Sequence, residues 1–425
     1  MDWSFLIRNN DSLCVSTDTR NLPSGCVFFA LKGETFDGNR FALQALDNGA
    51  AMAVVSDAAM YVAICEQYGK EYAKLISGAE AERGGVAGLQ SLARAWRRHL
   101  GLPIIGVTGT NGKTTTKELT AAVLSTKYHI HYTQGNLNNS IGVPLTLLQL
   151  TRQHELAIVE MGASHPGDIE ELVNVAEPNF GVITNVGRAH LQGFGSFEGV
   201  QHTKQELYDY LCQHEGTIFR NVDNTYLGSM YADACAKAGK TPKLVEYHRG
   251  TMPTGTHLVG DYNAENVSAA LCIGEYFGVS QEQGLAAIRA YIPSNNRSQL
   301  VHSDKGNTIV VDAYNANPTS MAAAIESFSQ INMPVEDKVL ILGDMLELGA
   351  DSVQLHQEIV DLLLRHGYMN VYLVGNEFGQ THHPFKSFAT VQELTKYLEK
   401  HTISDKLILL KGSHGMHLET LKEML

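Results

Sequence analysis

The sequence predicts an α/β protein of three domains, and three observations lead to that prediction. The chain has 425 residues, which is too long for one ordinary domain. Short apolar runs alternate with segments of helical periodicity, a pattern that favours βαβ units and largely parallel sheets. Polar residues follow many of those runs, and the pattern recurs in successive blocks of the chain. We therefore expect domains at residues 1–100, 101–295 and 296–425.

Composition and charge narrow the classes of protein to consider. Hydrophobic residues make up 44% of the chain and charged residues 18%, so each domain can bury a core. The net charge of −13 argues against nonspecific binding to nucleic acid or to an anionic membrane. No apolar run approaches the roughly 20 residues that span a bilayer. The N-terminal residues lack the pattern of a signal peptide, and the six cysteines are scattered. We therefore expect a cytoplasmic protein with reduced thiols.

The first block, residues 1–100, contains two predicted strands and a closing helix. Residues 26–31 and 49–55 are apolar runs that are typical of strands, and turn-rich sequence follows the first of them. Residues 89–100 place Trp96 and other apolar side chains on one side, which predicts a helix.

The second block opens with the most informative segment, the glycine-rich residues 106–115. An apolar run precedes it and a helical pattern follows, and this combination predicts a phosphate-binding loop. Lys113 can reach the terminal phosphates of a nucleotide, and the hydroxyl of Thr114 can bind Mg²⁺. The usual loop has glycine where this chain has Val107, and Gly109 stands two residues later. The alternative is a glycine-rich turn that binds nothing.

Two later strands of this block also end in polar residues. The apolar residues 156–159 end at Glu160, and residues 180–184 lead into a loop that contains His190. In a parallel sheet, such ends lie at one edge, together with the phosphate loop. Glu160 can bind Mg²⁺ or cap a neighbouring helix. His190 can be a metal ligand or a polar loop residue.

Three further features each allow a functional and an ordinary interpretation. Lys204 lies in a predicted helix, where a lysine is usually solvated. Residues 135–142 contain several asparagines, which suit both a turn and a polar substrate. Residues 261–266 precede a helix predicted at 267–273, where asparagine can cap the helix or bind adenine.

The third block repeats the alternation of apolar runs and polar ends. Residues 308–311, 338–342, 371–374 and 407–410 are predicted strands, and each leads to polar residues or glycine. Four such strands predict a second, smaller α/β domain.

These segments together resemble the Mur ligases, the ATP-dependent amide-forming enzymes of peptidoglycan synthesis. The phosphate loop T-G-T-N-G-K-T-T is that family's form, which accounts for Val107. The resemblance covers essentially the whole chain. The matching positions, in chain order, are 108–115, 135–142, 159–164, 184–190, 204, 263–266, 297, 312–318 and 343–349.

Two regions make the resemblance more specific. Residues 312–321 resemble the segment D-x-Y-N-A-N-P-x-S-M of one branch of the family, and residues 16–20 and 28–33 resemble its UDP-binding domain. The resemblance implies a UDP-substrate-binding first domain, a P-loop ATPase-like central domain and a Rossmann-like C-terminal domain. It implies that the enzyme adds D-alanyl-D-alanine to UDP-N-acetylmuramoyl-tripeptide through an acyl phosphate. One departure is His414, where the family's K-G-S-R pattern has arginine.

The resemblance also implies cofactors and partners. These are ATP, two Mg²⁺ ions and carbamylation of Lys204, with the muropeptide, D-alanyl-D-alanine and ATP as small-molecule substrates. It implies a monomer that binds neither nucleic acid nor membrane. The nearest alternative is another ligase of the superfamily, which adds a third residue to the muropeptide or glutamate to folate. A nucleotide switch or transport ATPase subunit without ligase activity is a more distant one.

The resemblance assigns roles to individual residues in four groups. The catalytic group is Lys113, His190, Lys204 and Arg297. The metal-binding group is Thr114, Glu160, His190 and Lys204. The nucleotide-binding group is Thr108, Gly109, Thr110, Asn111, Gly112, Lys113, Thr114, Thr115, Asn263, Asn266, Arg297 and Asp312. The substrate-binding group is Ser16, Thr19, Arg20, Lys32, Gly33, Asn136, Asn138, Asn139, Tyr314, Asn315 and Asn317.

Overall fold

Three β-sheets of four, six and six strands follow one another along the chain. The computed structural model describes residues 3–7, 11–293 and 296–425. Helices alternate with the strands, and the sheets are almost entirely parallel, which confirms the predicted three-domain α/β fold. The predicted domain boundary at residue 295 and part of the N-terminal segment lie outside the described residues.

The first domain has a small, fully parallel sheet. Its elements are α1 (Ser4–Ile7), β1 (Val15–Ser16), β2 (Val27–Phe29), α2 (Ala42–Asp47), β3 (Met52–Val55), α3 (Ala58–Gln67), β4 (Ala73–Leu75) and α4 (Val86–Leu100). The strand order is β1-β2-β3-β4. Phe28 and Phe29 are neighbours in β2, so they lie on opposite faces of the sheet and join different core clusters. The two strands predicted from the sequence are β2 and β3, each shorter than predicted.

Helix α4 joins the first domain to the second. Its Trp96 is fully buried, and the indole Nε1 donates to the carbonyl oxygen of Leu150 at 3.0 Å. The next residue, Arg97, donates through Nε to the carbonyl oxygen of Ala176 at 3.0 Å. The helix ends at Gly101, whose φ of 67° is in the left-handed region that favours glycine. The predicted closing helix is therefore confirmed, and it is packed against both domains.

The second domain is built on a six-stranded parallel sheet. Its elements are β5 (Ile104–Thr108), α5 (Lys113–Leu124), β6 (Ile130–Tyr132), α6 (Gly142–Leu148), β7 (Leu156–Glu160), α7 (Asp168–Ala176), β8 (Phe180–Ile183), α8 (Leu191–Phe194), α9 (Phe197–Gln213), β9 (Thr217–Asn221), α10 (Thr225–Ala238), β10 (Lys243–Tyr247), α11 (Asn263–Tyr276) and α12 (Gln281–Ala290). The strand order is β10-β9-β8-β5-β7-β6. Because β5 lies between β7 and β8, the ends of these three strands are adjacent.

The third domain is a second six-stranded sheet. Its elements are β11 (Gln299–His302), β12 (Thr308–Asp312), α13 (Pro318–Ser329), β13 (Lys338–Gly343), α14 (Ser352–Arg365), β14 (Val371–Val374), β15 (Lys386–Phe388), α15 (Val391–Leu398) and β16 (Leu407–Lys411). The strand order is β11-β12-β16-β13-β14-β15, with β11 antiparallel and the others parallel. The four predicted strands are confirmed as β12, β13, β14 and β16.

The strands that the sequence analysis did not identify include edge strands with little buried surface. Strand β6 has three half-buried residues, and β15 has two exposed residues and one half-buried residue. Strand β10 is buried only at Tyr247. Such strands lack a continuous apolar run, because part of their surface faces solvent, so periodicity alone does not reveal them.

Two findings concern membrane association and redox state. No helix within residues 3–7, 11–293 and 296–425 is long and apolar enough to cross a bilayer. All six cysteines carry free thiols.

We predict that Trp96→Ala destabilises the protein by about 3–5 kcal/mol, because it empties a large buried volume and removes the bond to Leu150. Arg94→Ala, on the exposed side of the same helix, changes stability by less than about 0.5 kcal/mol. Urea unfolding followed by circular dichroism measures both. Equal midpoints for the two variants would contradict this account of α4.

Candidate active site

The phosphate loop after β5 approaches its neighbours so closely that two positions admit only glycine. Gly109 has φ 141° and Gly112 has φ 78°. A Cβ atom on Gly109 would lie 2.0 Å from Oγ1 of Thr184, and one on Gly112 would lie 2.2 Å from Oδ1 of Asn266. Backbone conformation and space both exclude a side chain there. Gly109, which replaces the glycine expected at Val107, is therefore required by this loop's own packing.

Hydrogen bonds from the segment after β8 hold the loop in place. The backbone N–H of Asn111 donates to Oδ1 of Asn185 at 2.9 Å, and Oγ1 of Thr184 donates to the Asn111 carbonyl oxygen at 2.6 Å. Oγ1 of Thr110 accepts a bond from the N–H of Gly187 at 2.9 Å. The loop is thus rigid before any anion arrives, which reduces the entropy lost on binding.

Lys113 begins helix α5 and its side chain folds back over the loop. Its Nζ donates to the carbonyl oxygens of Gly109 at 2.9 Å and Thr110 at 3.0 Å. Burial lowers the pKa of Lys113 to about 8; Glu160 acts in the opposite direction, and Arg297 lowers it further. An anion in the loop would raise this pKa and stabilise the ammonium form, so the site favours a negatively charged ligand.

Glu160 lies at the end of β7 and is almost completely buried. Its Oε1 accepts bonds from Oγ1 of Thr114 at 3.2 Å and Nδ2 of Asn138 at 2.8 Å. Among the described residues its Oε2 accepts no hydrogen bond, and the nearest cation is Nζ of Lys117 at 3.8 Å. A carboxylate oxygen without a hydrogen bond, next to a threonine hydroxyl at a phosphate loop, fits a hard cation such as Mg²⁺. The carboxylate does not cap a helix.

His190 lies after β8 and contacts the third domain. Its Nδ1 is hydrogen-bonded to Oε2 of Glu347. Burial lowers the pKa of His190; the bond to Glu347 opposes that shift, and the neighbouring Lys113 and Lys204 add to it. The imidazole is therefore favoured in its neutral form, the form that binds a metal.

Lys204 in α9 is buried, which contradicts the interpretation that it is solvated. Its Nζ lies 5.5 Å from the centre of the Phe194 ring. No hydrogen bond or ion pair to this Nζ occurs within the part of the chain that the structure describes. Burial lowers the pKa of Lys204 well below its usual value, and Lys113 lowers it further. This shift favours the neutral amine, which is a nucleophile.

Asn263 and Asn266 lie in the first turn of α11, and neither caps it. The N-cap residue is Tyr262, whose side chain makes no capping bond, so the capping interpretation is wrong. Nδ2 of Asn266 donates to Oδ1 of Asn263 at 2.9 Å, and Oγ1 of Thr116 donates to Oδ1 of Asn266 at 3.0 Å. Both amides are buried and connect α11 to the phosphate-loop helix.

The third domain brings two oppositely charged groups to the same place. The guanidinium of Arg297 lies 3.8 Å from the centre of the Tyr314 ring, and its Nε has no hydrogen-bond partner within residues 3–7, 11–293 and 296–425. Asp312 ends β12, and its Oδ2 accepts a bond from Nζ of Lys411 at 2.6 Å. His414 also stacks on Tyr314, with 5.5 Å between the two ring centres.

Most of these groups line one cavity of about 710 Å³ between the domains. Arg83 reaches it from the first domain, the phosphate loop from the second and Arg297 from the third. The predicted site residues that line it are Thr110, Asn111, Gly112, Lys113, Thr114, Thr115, Asn138, Asn139, Glu160, His190, Asn263, Asn266, Arg297, Asp312, Tyr314 and Asn315. Those that do not line it are Ser16, Thr19, Arg20, Lys32, Gly33, Thr108, Gly109, Asn136, Lys204 and Asn317.

Several of the residues outside the lining have structural roles. Oγ1 of Thr108 donates to the carbonyl oxygen of Met161 at 2.8 Å. Asn317 caps helix α13, and its Nδ2 also donates to Oδ1 of Asn111 at 2.7 Å, which joins the third domain to the phosphate loop. Within the asparagine-rich segment, Oδ1 of Asn139 accepts bonds from two backbone N–H groups as a turn residue does.

The predicted residues of the first domain form local contacts. Arg20 is paired with Asp18 at 2.6 Å, and Lys32 lies 3.5 Å from Asp37. Ser16 donates through Oγ to the carbonyl oxygen of Asp18 at 3.0 Å. This cluster lies apart from the cavity lining, so the structure does not bring it together with the phosphate loop.

The sequence analysis did not single out three residues that belong to this site. Asn185, which holds the phosphate loop, directly follows a predicted strand, and that position was a usable signal. Asp168 lines the cavity and Glu347 contacts His190. Neither has a local pattern that distinguishes it from a surface carboxylate. Among the described residues, no group of three or more His, Cys, Asp or Glu side chains is arranged to hold a metal.

Comparison with known proteins identifies the family that this chain matches. The model described as the Mur ligase middle domain matches residues 107–241, the glutamate ligase domain matches 296–414 and the catalytic domain matches 14–87. The chain is 34% identical to UDP-N-acetylmuramoyl-tripeptide--D-alanyl-D-alanine ligase of Bacillus subtilis (strain 168), over 95% of this chain and 91% of that relative. The chain belongs to the Mur ligase family.

Further similarities agree with this Mur ligase assignment. The ligase of the same name from Escherichia coli (strain K12) is 34% identical over 85% of this chain and 81% of that relative. A crystal structure of MurF from Acinetobacter baumannii has a TM-score of 0.80 at 28% identity, covering 96% of this chain and 93% of that one. The MurF ligase of Thermotoga maritima, in complex with ADP, has a TM-score of 0.80 at 25% identity and covers 97% of both chains.

We predict that Gly109→Ala weakens the binding of Mg²⁺·ADP by about ten- to a hundredfold, because strain of about 1–3 kcal/mol must be absorbed at the loop. The new Cβ would lie 2.0 Å from Oγ1 of Thr184. Isothermal titration calorimetry measures the affinity. Gly379→Ala is the control, since no atom lies within 4 Å of its Cβ position. The same affinity in both variants would show that the loop does not bind the nucleotide.

Proposed function

We propose that this protein is an ATP-dependent ligase that joins D-alanyl-D-alanine to UDP-N-acetylmuramoyl-tripeptide, with release of ADP and phosphate. The observation that carries the proposal is the single cavity in which the phosphate loop faces Arg297 and Asp312 of the third domain. A ligase needs its nucleotide and both substrates in one enclosed place. The names of the relatives that match most of the chain support the same reaction.

ATP is proposed to bind with its phosphates on the loop and its adenosine toward the third domain. Backbone N–H groups at the start of α5 and the ammonium of Lys113 bind phosphate oxygens. Asn263 and Asn266 contact adenine, while Arg297 and Asp312 contact phosphate and ribose. The unpartnered Nε of Arg297 supports this role, since a buried guanidinium N–H needs an acceptor.

Two Mg²⁺ sites are proposed. Thr114 and Glu160 hold the first, which the oxygen of Glu160 without a hydrogen bond supports. His190 and Lys204 would hold the second; the burial and lowered pKa of Lys204 favour the amine form that can be converted to a carbamate, which is an oxygen ligand. Mg²⁺ held by these residues would supply positive charge against the phosphates.

The proposed reaction has two steps. A carboxylate oxygen of the tripeptide attacks the γ-phosphorus of ATP, the bond to the β-phosphate oxygen breaks, and ADP leaves. The amine of D-alanyl-D-alanine then attacks the acyl carbon, phosphate leaves, and the amine loses a proton. The chain supplies positive charge at Lys113 and Arg297 for the first step, in which two anions meet. Contacts such as Asn111–Asn317 keep the third domain over the cavity, which limits access of water to the acyl phosphate.

The substrates are proposed to approach from opposite sides. Ser16, Thr19, Arg20, Lys32 and Gly33 bind the UDP end of the muropeptide on the first domain, and Asn136, Asn138 and Asn139 lie along its peptide. Tyr314, Asn315 and Asn317 bind the acceptor dipeptide. The muropeptide is an extended molecule. It is proposed to run from the first-domain cluster, which lies outside the cavity lining, into the cavity.

We predict phosphate release that depends on D-alanyl-D-alanine when ATP, Mg²⁺ and UDP-N-acetylmuramoyl-tripeptide are present. Mass spectrometry of the product identifies the pentapeptide, and parallel tests with other amino-acid acceptors and folate address the rest of the superfamily. Phosphate release without any acceptor would indicate a simple nucleotidase and overturn the proposal.

We predict that Lys113→Ala lowers kcat by at least about a hundredfold, since it removes a charge aimed at the reacting phosphate. The control is Lys396→Ala, which changes a lysine of helix α15 in the third domain. We expect this variant to retain full activity. Steady-state kinetics with circular dichroism as a check on folding measures both. Full activity of Lys113→Ala would remove the loop from the mechanism.

We predict that in buffer free of carbon dioxide Lys204→Met has a higher thermal midpoint at pH 7 than the wild type. Because folding lowers the pKa of this lysine, protonation at pH 7 favours the unfolded chain, and this cost disappears as the pH rises toward about 10.4. Bicarbonate raises the midpoint of the wild type and leaves that of Lys204→Met unchanged. A ¹³C NMR signal of a carbamate from ¹³C-bicarbonate, present only in the wild type, checks the modification directly.

A further inference from the structure

The contact between His190 and Glu347 joins the second domain to the third across 157 positions of sequence. Both residues have backbone conformations that residues other than glycine rarely adopt, with φ 50° at His190 and φ 65° at Glu347. Each such residue is strained and persists only where the surroundings hold it. Two strained residues that face each other suggest that their contact has a function.

The loop that presents Glu347 is held by the rest of the third domain. The backbone N–H of Met345 donates to Nε2 of the buried His356 at 3.0 Å, and the N–H of Leu346 donates to Oγ of Ser413 at 2.9 Å. Asp344 accepts bonds from two backbone N–H groups that follow β14. The backbone that precedes Glu347 is therefore anchored to the third domain, even though the Glu347 side chain is 60% exposed.

His190 is held in the same way on the second domain. Its carbonyl oxygen accepts bonds from the N–H groups of Gly193 at 3.0 Å and Phe194 at 3.1 Å, both in helix α8. The N–H of Gln192 also reaches the carbonyl oxygen of Glu347 at 3.5 Å. The imidazole forms part of the wall of two cavities, the main one of about 710 Å³ and a smaller one of about 150 Å³. Glu347 lines only the smaller one.

This arrangement determines which nitrogen of His190 is available to a ligand. A carboxylate oxygen can only accept, so Nδ1 must carry the proton that it donates to Glu347. In the neutral imidazole, Nε2 then holds the free lone pair. No hydrogen bond to Nε2 occurs among the described residues. Histidines that bind metals generally have this pattern, in which a carboxylate accepts the proton of the other nitrogen and orients the ring.

We propose that Glu347 is a positioning residue that completes the second metal site only when the third domain lies against the second. It touches neither substrate nor metal, and it acts by fixing the tautomer and orientation of His190. The inference rests on the proposed function, in which His190 is a ligand of that metal. Binding of the metal and closure of the third domain then favour each other, because coupling between two equilibria is reciprocal.

The competing interpretation is that the pair simply holds two domains together. An exposed ion pair contributes about 0–1 kcal/mol, and its loss would loosen the domains without altering the ring's chemistry. Another contact between the domains serves as a comparison, since Oγ of Ser327 accepts a bond from the N–H of Asp261 at 3.0 Å, away from His190. Ser327→Ala removes that contact and leaves Glu347 in place.

The experiment counts metal sites with Mn²⁺ as the probe, by electron paramagnetic resonance in the presence of ADP and bicarbonate. We expect Glu347→Ala to weaken one of two Mn²⁺ sites by about 10–100-fold and to leave the other unchanged. Glu347→Gln, whose amide oxygen still accepts from Nδ1, loses less. Ser327→Ala and Glu358→Ala, a glutamate of α14, leave both sites unchanged.

Three results with the variants would overturn the inference. They are unchanged Mn²⁺ binding in Glu347→Ala, an equal loss in Ser327→Ala, and a further loss when Glu347→Ala is added to His190→Ala. A wild type with a single Mn²⁺ site would also overturn it. The proposed ligase reaction fails separately, through the absence of phosphate release that depends on the dipeptide, because the Mn²⁺ titration requires neither muropeptide nor turnover.

Discussion

The close approach of the phosphate loop to its neighbours is the constraint on which the rest of the site depends. Gly109 and Gly112 allow Thr184 and Asn266 to pack against the backbone where a Cβ would otherwise stand. That packing orients the N–H groups at the start of α5, and it brings strand β8 and helix α11 to the same place. The remaining polar groups are positioned relative to this centre, because parallel strands end at a common edge.

Charged groups are concentrated at the cavity where the three domains meet, although the first and second domains also share an apolar core. Lys113, Lys204 and Arg297 gather in or beside the cavity; Arg297 lowers the pKa of Lys113, and Lys113 lowers the pKa of Lys204. The contacts that cross between the second and third domains include polar ones, as between Asn111 and Asn317. Interfaces of this kind permit domains to separate and return, and an anionic ligand in the cavity relieves the repulsion.

Burial accounts for both the successes and the failures of sequence-based prediction at individual residues. Glu160 is predictable because a carboxylate that ends a fully buried strand must be paired, hydrogen-bonded or bound to a metal. Lys204 is ambiguous, since a helix of mixed composition does not reveal which of its residues faces the core. Asparagines near the start of a helix give the same local sequence pattern whether or not they cap it. The buried amide network of the asparagines in α11 instead depends on Thr116 in another helix.

The sequence by itself determined the α/β class, the positions of the main strands along the chain, the phosphate loop and the acidic strand end. These features depend on interactions within a few residues, which periodicity and turn chemistry express directly. Only the tertiary structure decided that Arg297 and Asp312 face the loop, that the first-domain cluster lies outside the cavity lining, and that Glu347 meets His190. Residues 157 positions apart come into contact through the packing of domains. Their separation in the sequence does not reveal how close they lie in space.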